Sequence, residues 1–336
     1  MSALVSSWSK NVHTVPENFV CSSEERPGDL AVPLCKGIPV VDLQQVDGHD
    51  RADSIKQIMI GSQDFGMFQV INHGLLKELM DDTMSLFKEF FDMPEEDKAT
   101  YYSEDMSKSF RLYTGSFCHS VINHNYWKDS VRQDCHPLED HIETWPEKPA
   151  RYREVVGTYS VEVRKLGLRI LDLICEGLGV DVGYFAGDLS KFQGMIVNHY
   201  PPCPNPSLVL GVRGHYDTNL LTLLQQDEYG LQILKDGQWF GVKHVPNAFV
   251  INIGSQLEII SNGKLTSIKH RAVTNSSVSR TSIVTLINPS EECIIEPAKA
   301  LVSACNPSMF QAVQCKEYVD TCMPKARDLN DATLES

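Results

Sequence analysis

From residue 194 onward the chain breaks into short β-branched runs separated by Pro, Asn and Gly: 195–200, 209–224, 231–234, 248–253, 268–273 and 282–287. Runs this short, spaced this closely, pack as a sandwich or jelly roll. Upstream the period changes. Apolar residues at helical spacing predict a helix over 54–63, a second over 76–91 and a long one over 152–178. Strands are expected over 38–43 and 68–71, an extended lead-in over 1–37, and an irregular stretch over 99–125 of the kind that often forms a functional loop. The units expected are an N-terminal helical and strand region (1–150), a supporting helix region (151–193), a jelly-roll core (194–300) and a C-terminal helix or tail (301–336). The fold class is mixed α+β.

Charge and composition narrow the partners. The net charge is −14 with no basic run to offset phosphate, which argues against nucleic acid and anionic membrane surfaces. No stretch is long and apolar enough to span a bilayer, and the first twenty residues lack the apolar core of a signal peptide. The ten cysteines are scattered without a Cys-x-x-Cys, as expected of reduced thiols in a cytoplasmic protein.

Chemistry concentrates at Gly214-His215-Tyr216-Asp217. Residues two apart on a strand share a face, so His215 and Asp217 would project side by side. With His270 they would make a 2-His-1-carboxylate set, which holds one face of Fe(II) and leaves the other open. Taken singly, His-x-Asp is a weak signal. A second pair, Arg280 and Ser282, strengthens it. A lone Arg here would read as a surface ion pair, but beside a cationic metal it calls for an anion between them. A dicarboxylate fits, chelating the metal at one end and meeting Arg280 and Ser282 at the other.

Ordered motifs along nearly the whole chain resemble the plant 2-oxoglutarate- and Fe(II)-dependent dioxygenases. They are Ile38-Pro39-Val40-Val41-Asp42-Leu43, Asp64-Phe65-Gly66, Tyr126-Trp127-Lys128-Asp129, Asn198-His199-Tyr200-Pro201-Pro202, His215-Tyr216-Asp217, Ser261-Asn262-Gly263, His270-Arg271-Ala272-Val273 and Arg280-Thr281-Ser282. The nearest branch contains downy-mildew-resistance-type salicylate and flavonoid oxygenases and a tropane-alkaloid hydroxylase. The resemblance implies a double-stranded β-helix (jelly-roll) core flanked by long helices. It implies Fe(II), with 2-oxoglutarate and O2 as co-substrates and ascorbate as reductant. It adds Tyr200 and Asn198 to the 2-oxoglutarate site, though both could instead cap the turn before Pro201. The implied reaction is hydroxylation of a small hydrophobic plant metabolite by a monomer, coupled to formation of succinate and CO2. Desaturation or oxidative ring closure on the same scaffold stays open, as does a non-catalytic binding protein.

Parity puts Ile196 beside Asn198 and Tyr200, and Leu286 beside Ser282, facing the barrel interior. Tyr113, Phe117, Tyr126, Lys128 and Phe310 are further candidates for the substrate pocket, each equally readable as scaffold. One departure bears on substrate charge: where the alkaloid branch has an acid after Leu-Tyr-x, this chain has Gly115. A neutral or phenolic substrate is therefore expected, with Lys128 offering a donor to its carbonyl or carboxylate.

Overall fold

The computed structural model describes residues 4–28, 31–115 and 125–322. Its strands, in chain order, are β1 Val40–Asp42, β2 Met67–Ile71, β3 Phe110–Thr114, β4 Asp129–His136, β5 Phe192–Tyr200, β6 Val212–His215, β7 Leu221–Gln226, β8 Leu231–Lys235, β9 Gln238–Gly241, β10 Phe249–Ile253, β11 His270–Ala272, β12 Arg280–Asn288, β13 Ile294–Ile295 and β14 Val313–Gln314. An eight-stranded sheet runs β1-β2-β10-β7-β12-β5-β4-β3, and a four-stranded sheet runs β6-β11-β8-β9. The two sheets share an apolar cluster: Met67, Leu224 and Val250 from the larger pack with Leu231 and Ile233 from the smaller. The expected mixed α+β architecture is thus two sheets meeting face to face, with helices behind the larger.

Alternation explains the layering. Along β12, Ile283 and Ile287 are fully buried in the cluster shared with the helices. Ser282, Val284 and Leu286, one residue out of phase, line a cavity between the sheets. The helix Tyr152–Leu178 covers the outer face with Tyr159, Val163, Leu166 and Ile170. The helix Lys77–Asp92 adds Met80, Phe87, Phe90 and Phe91. Leu76, expected within that stripe, is the N-cap and is largely exposed.

Three expectations need correction. The irregular stretch 99–125 contains β3, which pairs antiparallel with β4. All five β3 residues are buried, so the strand shows no polar alternation to betray it. The run 209–224 is two strands, broken at 216–220. The N-terminal lead-in is not extended. Its short helical turns Val5–Trp8 and Glu17–Phe19 pack Val5 and Phe19 against Trp127, Cys203 and Val209. Trp8, Phe19 and Trp127 meet edge to face at 5.4 Å between ring centroids. The buried Asp129 carboxylate accepts hydrogen bonds from Val5 N at 2.8 Å and Ser6 N at 2.7 Å. This ties the first turn to the start of β4.

Candidate active site

His215 ends β6 and His270 begins β11, and the two are direct partners across the antiparallel ladder. Their ring centroids lie 4.3 Å apart. Asp217 is off the strand, so its position does not come from strand parity. The Asp217 carbonyl is fixed by hydrogen bonds from Ser255 N (2.8 Å) and Ser255 Oγ (3.1 Å), and its Oδ2 accepts from Asn252 Nδ2 at 3.2 Å. The result places Asp217 Oδ1 3.6 Å from Nε2 of both histidines. One ligand atom from each residue falls within 4.8 Å of the others.

The second ring nitrogens decide what this trio can do. His215 Nδ1 donates to the Arg213 carbonyl at 2.9 Å, and His270 Nδ1 donates to the Ile268 carbonyl at 3.1 Å. A carbonyl can only accept, so both rings carry hydrogen on Nδ1 and present the Nε2 lone pair to Asp217 and the cavity. Burial holds the His270 pKa below its ordinary value, against the pull of Asp217, which favours neutral imidazole. Burial also works to raise the Asp217 carboxyl, but His270 and His215 overcome it and hold that carboxyl well below the usual range. Two imidazole nitrogens and one carboxylate on a common face suit Fe(II).

On the facing sheet, β5 and β12 pair in register: Arg280 with Tyr200, Ser282 with Asn198, Val284 with Ile196. All six line the cavity. Arg280 is buried, donating from Nη2 to Gln226 Oε1 (2.7 Å) and from Nε to the Glu228 carbonyl (3.1 Å). Its Nη1 is buried with no hydrogen-bond partner among the described residues. A side chain at Gly230 would put Cβ 2.7 Å from Arg280 Cδ, so only glycine leaves room for the guanidinium there. An orphaned cationic donor costs stability unless an anion meets it, and a carboxylate at this end of the cavity would do so.

Residues 191–289 match the 2OG-Fe(II) oxygenase superfamily, and residues 38–152 match the N-terminal region described as non-haem dioxygenase in morphine synthesis. The chain is 45% identical to hyoscyamine 6-dioxygenase of Hyoscyamus niger, over 98% of this chain and 96% of that protein. The chain belongs to the 2OG-Fe(II) oxygenase superfamily. It is similar at 43% to Protein DOWNY MILDEW RESISTANCE 6 of Arabidopsis thaliana, covering 87% of this chain and 85% of that one. A crystal structure of JOX2 in complex with 2OG, Fe and JA superposes with TM-score 0.84 at 30% identity, covering 97% of this chain and 95% of that one. The fold is accordingly the jelly roll of this family. The enzyme is a dioxygenase that uses Fe(II) and 2-oxoglutarate.

The oxygenase's cavity, about 910 Å³ with the metal set and Arg280 included, is walled on its other side by β4, β5 and β12. Tyr113, Lys128, Ile196 and Leu286 line it. Phe117 lies outside the described residues. Tyr126 and Phe310 are not among the lining residues. Tyr126 is buried, and Phe310 faces a separate groove with Glu296 and Pro297. Phe310 is drawn away because its neighbour Met309 donates its backbone N–H to Asn262 Oδ1 at 2.8 Å. Sequence reasoning missed Asn252, Gln226 and Asp134. Gln226 shares a strand face with Thr222 and Leu224, an alternation visible in Leu221–Gln226.

Lys128 is the cavity's most unusual group. Its ammonium is buried and donates to Asn198 Oδ1 at 2.7 Å, which also accepts from Ser130 Oγ at 2.8 Å. Burial pushes its pKa down to about 7, with Asp129 opposing. The unfolded chain therefore holds this proton more tightly than the folded one. The resulting destabilisation is full below pH about 7 and fades as pH rises toward the ordinary lysine value. Lys128→Met is expected to stabilise the protein by roughly 2–4 kcal/mol near neutrality. The gain should shrink steadily at more alkaline pH. Urea unfolding at several pH values checks this, and a Met variant less stable than the parent at pH 6 would contradict it.

Proposed function

We propose that this enzyme hydroxylates a small, largely apolar plant specialised metabolite, acting as a cytoplasmic monomer. The observation that carries the reading is the pairing of two features across one cavity. The locked Nε2 lone pairs of His215 and His270 flank Asp217. Opposite stands the orphaned Nη1 of Arg280. In this reading His215, Asp217 and His270 hold Fe(II). Arg280 and Ser282 bind the distal carboxylate of 2-oxoglutarate, with Tyr200 and Asn198 beside it. Bound iron and 2-oxoglutarate supply the oxidising chemistry, in which O2 is split between succinate and the product.

The protein's part is placement. Ile196, Val284 and Leu286 give the substrate an apolar floor between the metal set and β4. The Nδ1–carbonyl bonds keep both imidazoles from rotating. Lys128, held by Asn198, orients a carbonyl or hydroxyl of the bound molecules. Relatives named for hyoscyamine and flavanone oxidation support a hydrophobic ring system as the substrate class. The test is anaerobic loading with Fe(II) and 2-oxoglutarate, then O2, with candidate metabolites. Equimolar succinate and a product heavier by one oxygen are expected. A product lighter by two hydrogens would replace hydroxylation by desaturation or ring closure, and no substrate-stimulated succinate from any candidate would count against the reading.

A further inference from the structure

Away from the metal set, two cysteines face each other at the rim of the cavity. In the two-stranded ladder of β13 and β14, Ile294 pairs with Gln314 and Ile295 with Val313. One step further along the same register, Cys293 stands opposite Cys315, and the Cys315 N–H donates to the Cys293 carbonyl at 2.8 Å. Alternation gives the direction of the side chains. Ile294 and Gln314 are exposed, whereas Ile295 and Cys315 are buried and Cys293 and Val313 are half-buried. Cys293, Ile295, Val313 and Cys315 therefore share the inward face, and all four belong to or pack on the main apolar cluster. Residues opposite each other at a hydrogen-bonded position of such a ladder have Cα atoms about 5.5 Å apart. That separation lies within the range a disulfide spans.

The element that carries the second cysteine gives the pair a consequence. Cys315 opens the helix Cys315–Cys322, which lines the cavity with Cys315, Lys316, Val319 and Asp320. Next to the cysteine, Lys316 donates its N–H to the Glu291 carbonyl at 3.0 Å. The ion pair of the same two residues, at 3.6 Å, is exposed and adds little. On the inner side, Gln256 Nε2 meets Cys315 Sγ at 3.5 Å. Gln256 follows Ser255, whose N–H and hydroxyl fix the Asp217 carbonyl. Cys315 thus joins the rim helix to the segment that holds a metal-binding residue in place.

We propose that Cys293 and Cys315 form a reversible disulfide that clamps the helix Cys315–Cys322 onto β13, making the pair a thiol-oxidation site at the cavity rim. The oxidant is a small-molecule disulfide of the glutathione type. Cys293, the more exposed of the two, loses its proton and attacks one sulfur of the oxidant; the other sulfur leaves as a thiol and takes that proton. The Cys315 sulfur then attacks Cys293 in the mixed disulfide and expels the second small thiol, which takes the Cys315 proton. Two protein thiols are oxidised and one disulfide is reduced to two thiols. Burial raises both cysteines above their ordinary pKa, so both rest protonated and the exchange is slow. Excess thiol drives the same steps in reverse and frees the helix.

The test equilibrates the full-length chain under nitrogen in glutathione buffers of graded oxidised fraction, followed by alkylation and peptide mass mapping. Oxidising buffer should give a linked Cys293–Cys315 peptide pair, lighter by two hydrogens than its separate halves, and excess dithiothreitol should return both free thiols. Amide hydrogen exchange over residues 315–322 should slow at least about tenfold in the linked protein, because a cross-link at the helix start suppresses its local opening. Cys293→Ser, at the half-buried position, should abolish both the link and the slowing, and in the reduced state should leave exchange of the helix within about threefold of the parent. Cys305 and Cys322 are exposed, so a Cys305→Ser, Cys322→Ser double variant removes their competing reactions and should still form the link. Failure of parent and double variant to link Cys293 to Cys315 in fully oxidised buffer would overturn the proposal. So would a link that forms only once urea has unfolded the chain, pairing of Cys315 with Cys305 or Cys322 instead, or a completed link that leaves exchange of the helix unchanged.

Discussion

Replacing His270 with alanine is expected to abolish iron retention and turnover while leaving the fold in place. His270 contributes one of three ligand atoms, and its ring is held by two restraints that alanine cannot supply: the Ile268 carbonyl at Nδ1 and the Asp217 carboxylate beside Nε2. Losing a partner that merely orients a ligand typically costs about ten- to a hundredfold in metal affinity or activity, so losing the ligand should exceed that. Backbone pairing of β11 with β6 and β8 does not depend on the imidazole, so secondary structure should persist. The stability cost should be small. The variant opens no large cavity, since His270 belongs to none of the apolar clusters. Elemental analysis after Fe(II) loading and gel filtration, with circular dichroism alongside, gives the readout. A variant that keeps stoichiometric iron and wild-type succinate production removes His270 from the metal set.

Legibility in the sequence followed a difference in chemistry between the two faces of an element. β12 and β5 read correctly because their two faces have different jobs. One is apolar against the helices, and the other mixes Arg280, Ser282 and Asn198 with apolar floor residues. The long helix Tyr152–Leu178 was legible for the same reason, its apolar stripe facing the sheet. β3 was not, because burial on both faces removes alternation and its buried Arg111 looks like a surface residue in one dimension. The break at 216–220 was hidden by flanking β-branched and leucine-rich runs. There the turn is set by Ser255 and Asn252, brought in from distant sequence. Proximity of Asp217 to His215 was therefore anticipated on an incomplete argument, since tertiary hydrogen bonds, and not strand parity, aim the carboxylate. Asp134 escaped notice because β4 was not read as a strand, and without that period its alignment with Lys128 and Arg132 carries no meaning. The N-terminal turns were equally illegible. Val5 and Phe19 find their partners only in Trp127, Cys203 and Val209, far along the chain.

Arg280→Ala is expected to raise the KM for 2-oxoglutarate by about one to three decades, the equivalent of roughly 2–4 kcal/mol for a charge-assisted two-point contact. The argument depends on what surrounds the guanidinium. Gln226 and the Glu228 carbonyl engage Nη2 and Nε, which fixes the plane of the group and leaves Nη1 without a hydrogen-bond partner among the described residues. Arginine is pre-organised before the co-substrate arrives, so little side-chain freedom is lost on binding. Two consequences follow. At saturating 2-oxoglutarate, kcat should fall less than kcat/KM, because the contact is made in ground and transition states alike. Arg280→Lys should recover only part of the affinity, since an ammonium keeps the charge but lacks the planar fork and cannot hold both Gln226 and the co-substrate in the same geometry. Alanine will also leave Gln226 with an unmatched buried acceptor, so some loss of stability, about 1–3 kcal/mol, should accompany the change. Stability and KM are separable by assaying well below the unfolding transition. An Arg280→Ala enzyme with unchanged KM would mean that the orphaned Nη1 is satisfied by something other than 2-oxoglutarate.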